Sequence, residues 1–316
     1  MGLPVRFYSS DDAGAPVGQI KKPSDVIDIL KACLVNGYGD KPPLGWSLSF
    51  EDPSNTIAVF RNSVNDGGSG GAVQVQAHTA SNAVGAAVRF TAANQITAID
   101  SFINKCGYKA IYTNKNNSRG WFIFGTSRGF YFKNRSFKTA IGIDASTSQY
   151  ESTLMAFIGD IDSFIPNDMG TFTLITNHTS PEVDKLSDVS SEMQLGANAA
   201  GIKIQLYATD GSNSSAIYTT NVTEPISYCE NLPQYDAEAL GVPMDLQPCP
   251  IYRSATSSLT NPACRGIIPG LFFTHFWGFR FRPTPVFIPI DGENYYLDDG
   301  GYYSVHLYQI TGEWYV

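Results

Sequence analysis

Charge is what this sequence has least of. Only 16% of its 316 residues are Asp, Glu, Lys or Arg, and 21 basic residues face 29 acidic ones, for a formal net charge of −8. No stripe of Lys and Arg gathers anywhere, so no nucleic-acid partner is expected, because phosphates are held chiefly by basic side chains that release counterions. Long apolar runs are missing as well. The nearest approach, residues 266–277, is broken by Pro269, Thr274 and His275, so no membrane insertion is expected and the chain reads as soluble. Residues 1–6 place no apolar stretch behind a basic start, so no secretory signal is read there. Arg6 stands where a myristoylation motif asks for Ser or Thr.

Histidine is scarce too. His78, His178, His275 and His306 lie far apart, with no pair at ligand spacing, and the five cysteines Cys33, Cys106, Cys229, Cys249 and Cys264 form no C-x-x-C. Zinc and a catalytic metal are therefore disfavoured, and no cofactor is expected. Cys229, Cys249 and Cys264 share a proline-marked stretch where they can meet, but a protein assembled inside a cell keeps such thiols reduced. The expectation is buried thiols packing as small apolar groups.

What the sequence has in quantity is apolar and aromatic material. At 43% hydrophobic, with 17 Tyr and 19 Phe, it must fold and bury a sizeable core. One helix is legible: Ser24 is the N-cap candidate after Pro23, with Asp25 and Asp28 in the first turn, and Gly37 is the stop. Val26, Ile27, Leu30, Cys33 and Leu34 line one face between them. After Gly45-Trp46 the pattern turns to short apolar runs separated by Gly, Asn, Ser and Asp, which is how antiparallel strands and turns look. Strands are expected at 3–8, 56–61, 72–77, 86–91, 110–113, 139–143, 154–158, 171–176, 203–209, 266–273, 277–282, 286–289 and 302–310. The clearest hairpin is Trp121-Phe-Ile-Phe124, a five-residue loop and Phe130-Tyr-Phe132, which reads as one broad aromatic face.

The fold class is thus mainly β, antiparallel and β-sandwich-like, with one short N-terminal α-helix and a β-rich C-terminal part. Residues 1–178 read as the helix plus a β-rich domain. Residues 179–263 read as an irregular Pro/Ser-rich excursion, with Pro225, Pro233, Pro243, Pro248 and Pro250 marking 221–250. Residues 264–316 read as an aromatic β segment packing on the first domain.

Few residues suggest chemistry. Gly67-Gly-Ser-Gly-Gly71 lacks the Lys-Ser/Thr ending of a phosphate cradle and reads as a flexible hairpin tip. Asp160 and Asp162 would share a face of an extended segment, as glycosidase acids or a cation site require, but no complementary base follows, and a solvated strand end is preferred. Asp291 and Glu293 with Asp298 and Asp299 are candidates for wrapping a calcium ion, although the spacing is not that of an EF-hand and a hairpin turn explains them as well. Tyr295, Tyr296, Tyr302, Tyr303, Trp314 and Tyr315 crowd the end of the chain as candidates for a subunit interface or for stacking on glycan, against a packed core as the plain alternative.

Several stretches carry a resemblance. The run from Val5 to Val17 (VRFYSSDDAGAPV), the segment from Ala32 to Pro42 (ACLVNGYGDKP) and Gly45-Trp46 resemble the opening of a family of tailed-bacteriophage virion proteins. Further matching places are Trp121-Phe-Ile-Phe124 with Gly129-Phe-Tyr-Phe132, Phe157-Ile-Gly-Asp-Ile161, the run Arg265-Gly-Ile-Ile-Pro-Gly-Leu271 and the ending Ile310-Thr-Gly-Glu-Trp314. The resemblance implies a virion structural protein, assembled in the bacterial host cytoplasm. It supplies no catalytic residue, so no enzyme is expected. The expected place is the tail or its tip, in a ring or cluster, with copies of itself and other virion proteins as partners. A capsid or neck decoration is the alternative, and a host-surface glycan-binding attachment module the alternative of another class. An envelope hydrolase would have only Asp160, Asp162, Asp291 and Glu293 to work with.

Overall fold

A strand with one face in water alternates apolar and polar residues, whereas one buried on both faces is apolar throughout. The runs 121–124 and 130–132 are of the second kind, and the computed structural model shows why. It describes residues 2–113, 118–136, 155–176, 182–183, 202–220, 246–253, 258, 260–273, 286–299 and 305–316. The chain begins with strands β1 (Leu3–Pro4) and β2 (Arg6–Ser9), then helix α1 (Pro23–Leu30), which widens into a π-helical segment (Lys31–Asn36). There follow β3 (Ser47–Asp52), β4 (Ile57–Arg61), β5 (Ala72–Ala77), β6 (Ala87–Ala98), β7 (Ser101–Tyr112), β8 (Ser118–Gly125) and β9 (Gly129–Ser136). Next are β10 (Met155–Asp160), β11 (Asp162–Ser163), β12 (Phe172–Ile175), β13 (Glu182–Val183), β14 (Ile202–Tyr207) and β15 (Ser215–Thr220). The last are β16 (Gln247–Tyr252), β17 (Cys264–Phe273), β18 (Val286–Ile290), β19 (Glu293–Asp299), β20 (Val305–Gln309) and β21 (Glu313–Trp314).

These strands form three large sheets. The first runs β13-β7-β6-β5-β4-β3, the second β12-β10-β9-β8-β2, and the third β14-β15-β16-β17-β20-β19-β18 with β11 on β17; β1 and β21 pair separately. Every described pairing is antiparallel except β13 with β7. The protein is therefore mainly antiparallel β with one short helix, as its composition suggested.

The second sheet lies between two cores. Trp121, Ile123, Phe130, Phe132, Ala156 and Ile158 point into one, shared with α1 and the first sheet. Phe122, Phe124, Tyr131, Met155 and Phe157 point into the other, shared with the third sheet. Successive residues of the hairpin thus enter opposite cores, and the aromatic face read from the sequence is in fact two faces. Phe124 stacks on Tyr131 at 5.0 Å and meets Tyr308 edge-on at 5.8 Å. On the other side Trp46 meets Phe130 edge-on at 5.1 Å.

The helix buries its expected stripe, Val26, Ile27, Leu30, Cys33 and Leu34, against this core. Its start differs from expectation. Lys22 is the N-cap, and the Asp25 carboxylate reaches back to accept the N–H groups of Lys21 (2.8 Å) and Lys22 (3.0 Å). Ser24 instead bonds Asn82 through its backbone and its hydroxyl. Pro23, which lacks an N–H, suits the first helical position and moves the cap one residue earlier than Pro23 itself. Gly37 ends the helix at φ 75, where a Cβ would stand 2.6 Å from the Lys41 carbonyl oxygen.

The stretch 179–263, expected as an irregular excursion, contributes β14, β15 and β16 to the third sheet. Pro248 and Pro250 are tolerated inside β16 because β15 pairs with it only at Thr219 and Tyr252, beyond both prolines. A register shift between Pro248 and Pro250 adjusts the pairing with β17. Residues 221–245, and the expected strands at 139–143 and 277–282, lie outside the described residues.

Cys249 on β16 and Cys264 on the neighbouring β17 are both free; Cys249 is buried and Cys264 exposed, while Cys229 lies outside the described residues. Burial also pushes the Cys33, Cys106 and Cys249 thiols up, which keeps them protonated. Native protein treated with a maleimide should carry label at Cys264, with Cys33, Cys106 and Cys249 labelled only after unfolding, as peptide mapping would read. Phe124→Ala should destabilise the fold by about 3–5 kcal/mol, seen as a lower urea midpoint with little change in slope.

Candidate functional site

The acidic residues of the sequence analysis lead to the junction of all three sheets. β10 ends at Asp160, whose carboxylate is fully buried and not, as expected, at a solvated strand end. Its Oδ2 accepts hydrogen bonds from Asn62 Nδ2 (2.8 Å) and the Ser69 N–H (2.9 Å), and its Oδ1 from the hydroxyls of Ser69 (2.5 Å) and Thr171 (2.8 Å). Arg128 Nε stands 3.8 Å from Oδ2, and its guanidinium lies over the Tyr315 ring at 4.0 Å. Tyr315 in turn donates its hydroxyl to the Asp160 carbonyl oxygen at 2.6 Å. Desolvation pushes the Asp160 carboxyl above its ordinary range against the pull of the Ser69 and Thr171 donors and the Arg128 charge.

The local sequence explains how so many groups converge. Gly129 and Gly159 face each other across β9 and β10, and a Cβ on Gly159 would fall 2.3 Å from the Gly129 Cα. That pair brings the Arg128 carbonyl within 3.1 Å of the Asp160 N–H. The glycine-rich loop 67–71, expected to be a flexible tip, is tied to Asp160 through Ser69. Its polar groups answer a buried carboxylate, not a phosphate.

Asp162 does not join Asp160. It is half-buried and belongs to β11, which leaves the second sheet to pair with β17. Burial raises its carboxyl, and Arg128 pulls it back. Beyond it, the loop 164–169 is anchored by a buried ion pair. Arg265 Nε and Nη2 meet Asp168 Oδ2 and Oδ1 at 2.5 and 2.7 Å, and Nη2 also donates to the Tyr207 carbonyl at 2.7 Å. Ser163 Oγ and the Gly170 N–H donate to the same carboxylate. The loop nevertheless holds Phe164 59% and Met169 63% exposed. Sequence reasoning missed this arrangement, because Asp168 and Arg265 are 97 residues apart. Phe164 and Met169 inside a Pro-Asn-Asp turn were the only available signal.

Asp291 and Gly292 form the two-residue turn joining β18 and β19, with φ values of 51 and 85. Glu293 follows the turn and accepts the Thr311 hydroxyl at 2.6 Å. Asp298 and Asp299 lie at the far end of the same strand, about 15–20 Å away at a rise near 3.3 Å per residue. The backbone thus sets Asp291 and Glu293 at one end of the β18–β19 hairpin and Asp298 and Asp299 at the other. No group of three or more His, Cys, Asp or Glu suited to a metal occurs among the described residues.

The aromatic candidates turn inward. Tyr296 packs against Phe122 at 5.5 Å, Trp314 meets Tyr131 at 5.6 Å, and Tyr295 meets Phe272 at 5.8 Å. Tyr295, Tyr296, Trp314 and Tyr315 are all buried, so they serve the core and offer no face to glycan or to a neighbouring subunit. Tyr302 and Tyr303 lie outside the described residues. Among the described residues no helix is long and apolar enough to cross a membrane. No protein-family model matches the sequence, and no curated protein matches it.

Asp160→Ala should cost about 3–5 kcal/mol, because it strands Arg128 and the amide and hydroxyl donors inside the fold. Asp160→Asn should cost less, since its amide can face the two hydroxyls, which rotate to accept, while its carbonyl keeps the two N–H donors. Because the folded carboxyl sits above its unfolded value, its contribution is complete below the unfolded value and is lost as pH rises through the folded one. The wild type should therefore gain stability relative to Asp160→Asn as pH falls toward the ordinary carboxylate range, measured by urea midpoints at each pH.

Proposed function

We propose that this chain is a structural subunit of a tailed-phage virion, placed on the tail or its tip and working through contacts with copies of itself and with other virion proteins. One observation carries the reading. The stretches on which the resemblance rests are spread from Val5 to Trp314, yet they meet in one body around the second sheet. β2 pairs with β8, β8 with β9, and β9 with β10, and Ile310 and Trp314 pack into the core shared with the third sheet. The residues quoted for the resemblance are thus among those that build this architecture.

The chemistry of the acidic residues supports the same reading. Asp160, the first candidate for an envelope hydrolase, is enclosed by donors from the chain itself and has no room for a substrate. The low charge of the chain suits lateral contacts, because interface cores are depleted of charged residues.

Gold-labelled antibody against the chain, imaged on intact particles by electron microscopy, tests the placement. Label at the tail or its tip is the expected outcome. Label spread over the head would make this a capsid decoration, and particles without label would overturn the virion reading altogether.

A further inference from the structure

We propose that the loop 164–169 is a docking knob for a different protein chain, one that presents an apolar cleft rimmed by lysine and arginine. The inference deepens the reading of this chain as an assembly subunit by naming the chemistry of one neighbour. Phe164 and Met169, 59% and 63% exposed, stand in water on one short loop. Large apolar side chains gathered on a surface mark contact sites, and aromatic residues and methionine are enriched in interface cores.

Exposure alone would describe many loops; here the loop is also held still. Arg265, 0% exposed, grips Asp168 with two hydrogen bonds, and the Phe164 N–H is fixed to the Arg265 carbonyl at 2.9 Å. The Met169 N–H is fixed to the Thr209 carbonyl at 3.0 Å. The backbone at both apolar positions is thus fixed from inside the fold. Fixing it in advance removes part of the entropic cost that binding would otherwise meet.

The surrounding charge selects the partner. Asp162 lies two residues before Phe164, and Asp210 sits between Thr209, which binds the Met169 backbone, and Gly211, whose position lies 3.3 Å from the Met169 side chain when given a Cβ. Asp168 is neutralised by Arg265 inside the fold, so the charge that borders the knob is that of the half-buried Asp162 and the exposed Asp210. Two copies meeting knob to knob would set these carboxylates against each other. A basic-rimmed cleft on another protein complements both the apolar tip and its acidic border.

The test places the photocrosslinking residue benzoylphenylalanine at position 169 of the full chain made during infection, with position 103 as the control. Ile103 is 47% exposed elsewhere on the surface. The expected result is a crosslink from position 169 to a distinct polypeptide on the particle, mapped by mass spectrometry to an apolar cleft with lysine or arginine at its rim. Asp162→Lys with Asp210→Lys should lower that yield by about tenfold, and Phe164→Ser by about tenfold as well. Unchanged thermal midpoints in both variants would show that the fold is intact. Crosslinks only to a second copy, only to residues 254–259 of the same chain, or to a partner indifferent to the charge reversal would overturn the proposal, as would no crosslink at all. If the chain is absent from particles but the same charge-dependent crosslink forms in the producing cell, the virion reading falls and the knob stands. If the chain is on the particle and the crosslink fails, the reverse holds.

Discussion

Burial of the second sheet on both faces is the constraint from which most of this structure follows. A sheet so enclosed can shed polar groups only at its edges and ends, since the apolar side chains described on β8, β9 and β10 enter one core or the other. This explains the density of Phe and Tyr, which fill two interlayer spaces instead of one, and the edge-to-face and offset ring pairs that hold them. It also explains why Trp121 and Trp46 send their indole N–H groups to the carbonyls of Val17 and Thr126. A buried indole without an acceptor would undo part of what its ring contributes.

The polar residues at the end of this sheet are the counterpart of its apolar middle. Asp160 gathers donors from the 62–71 connection of the first sheet, from the start of β12, from the β8–β9 turn and, through its backbone, from the C-terminal Tyr315. The Asp168–Arg265 pair does the same between the second and third sheets, with Tyr207 as a further acceptor. Such groups add little net stability over an apolar filling. Their effect is on register, because a sheet displaced by one residue would leave a charge buried without a partner, a far larger penalty than any gap between aromatic rings.

The sequence disclosed the layers' materials better than their arrangement. β5, β10, β12 and β17 were legible because their apolar runs are short and bounded by turn residues. β3 was not, because Ser-Leu-Ser-Phe-Glu-Asp on an edge strand carries little apolar content. Nor was the far half of the β6–β7 hairpin, where Asn94, Gln95 and Thr97 hid the strand and Asp100 bonds back to Gln74. Asp160 shows the limit most clearly. Its type and place at a strand end were visible, but the Asn, Ser and Thr that enclose it arrive from segments up to 98 residues away. A carboxylate flanked by Gly159 and Ile161 reads as a turn until those partners are known.

That same distribution separates inner from outer roles. In Tyr295, Tyr296, Trp314 and Tyr315 the chain places its aromatic groups where they complete the core, with Tyr315 closing the Asp160 cluster. What remains for contact with other molecules is the surface, and there, among the described residues, the exposed apolar side chains stand mostly singly. The loop 164–169 departs from this pattern because its two exposed apolar residues share a few positions of chain and a common internal anchor. Where an ion pair is buried beneath a surface loop, the loop's backbone shape becomes a property of the core, set when the sheets came together.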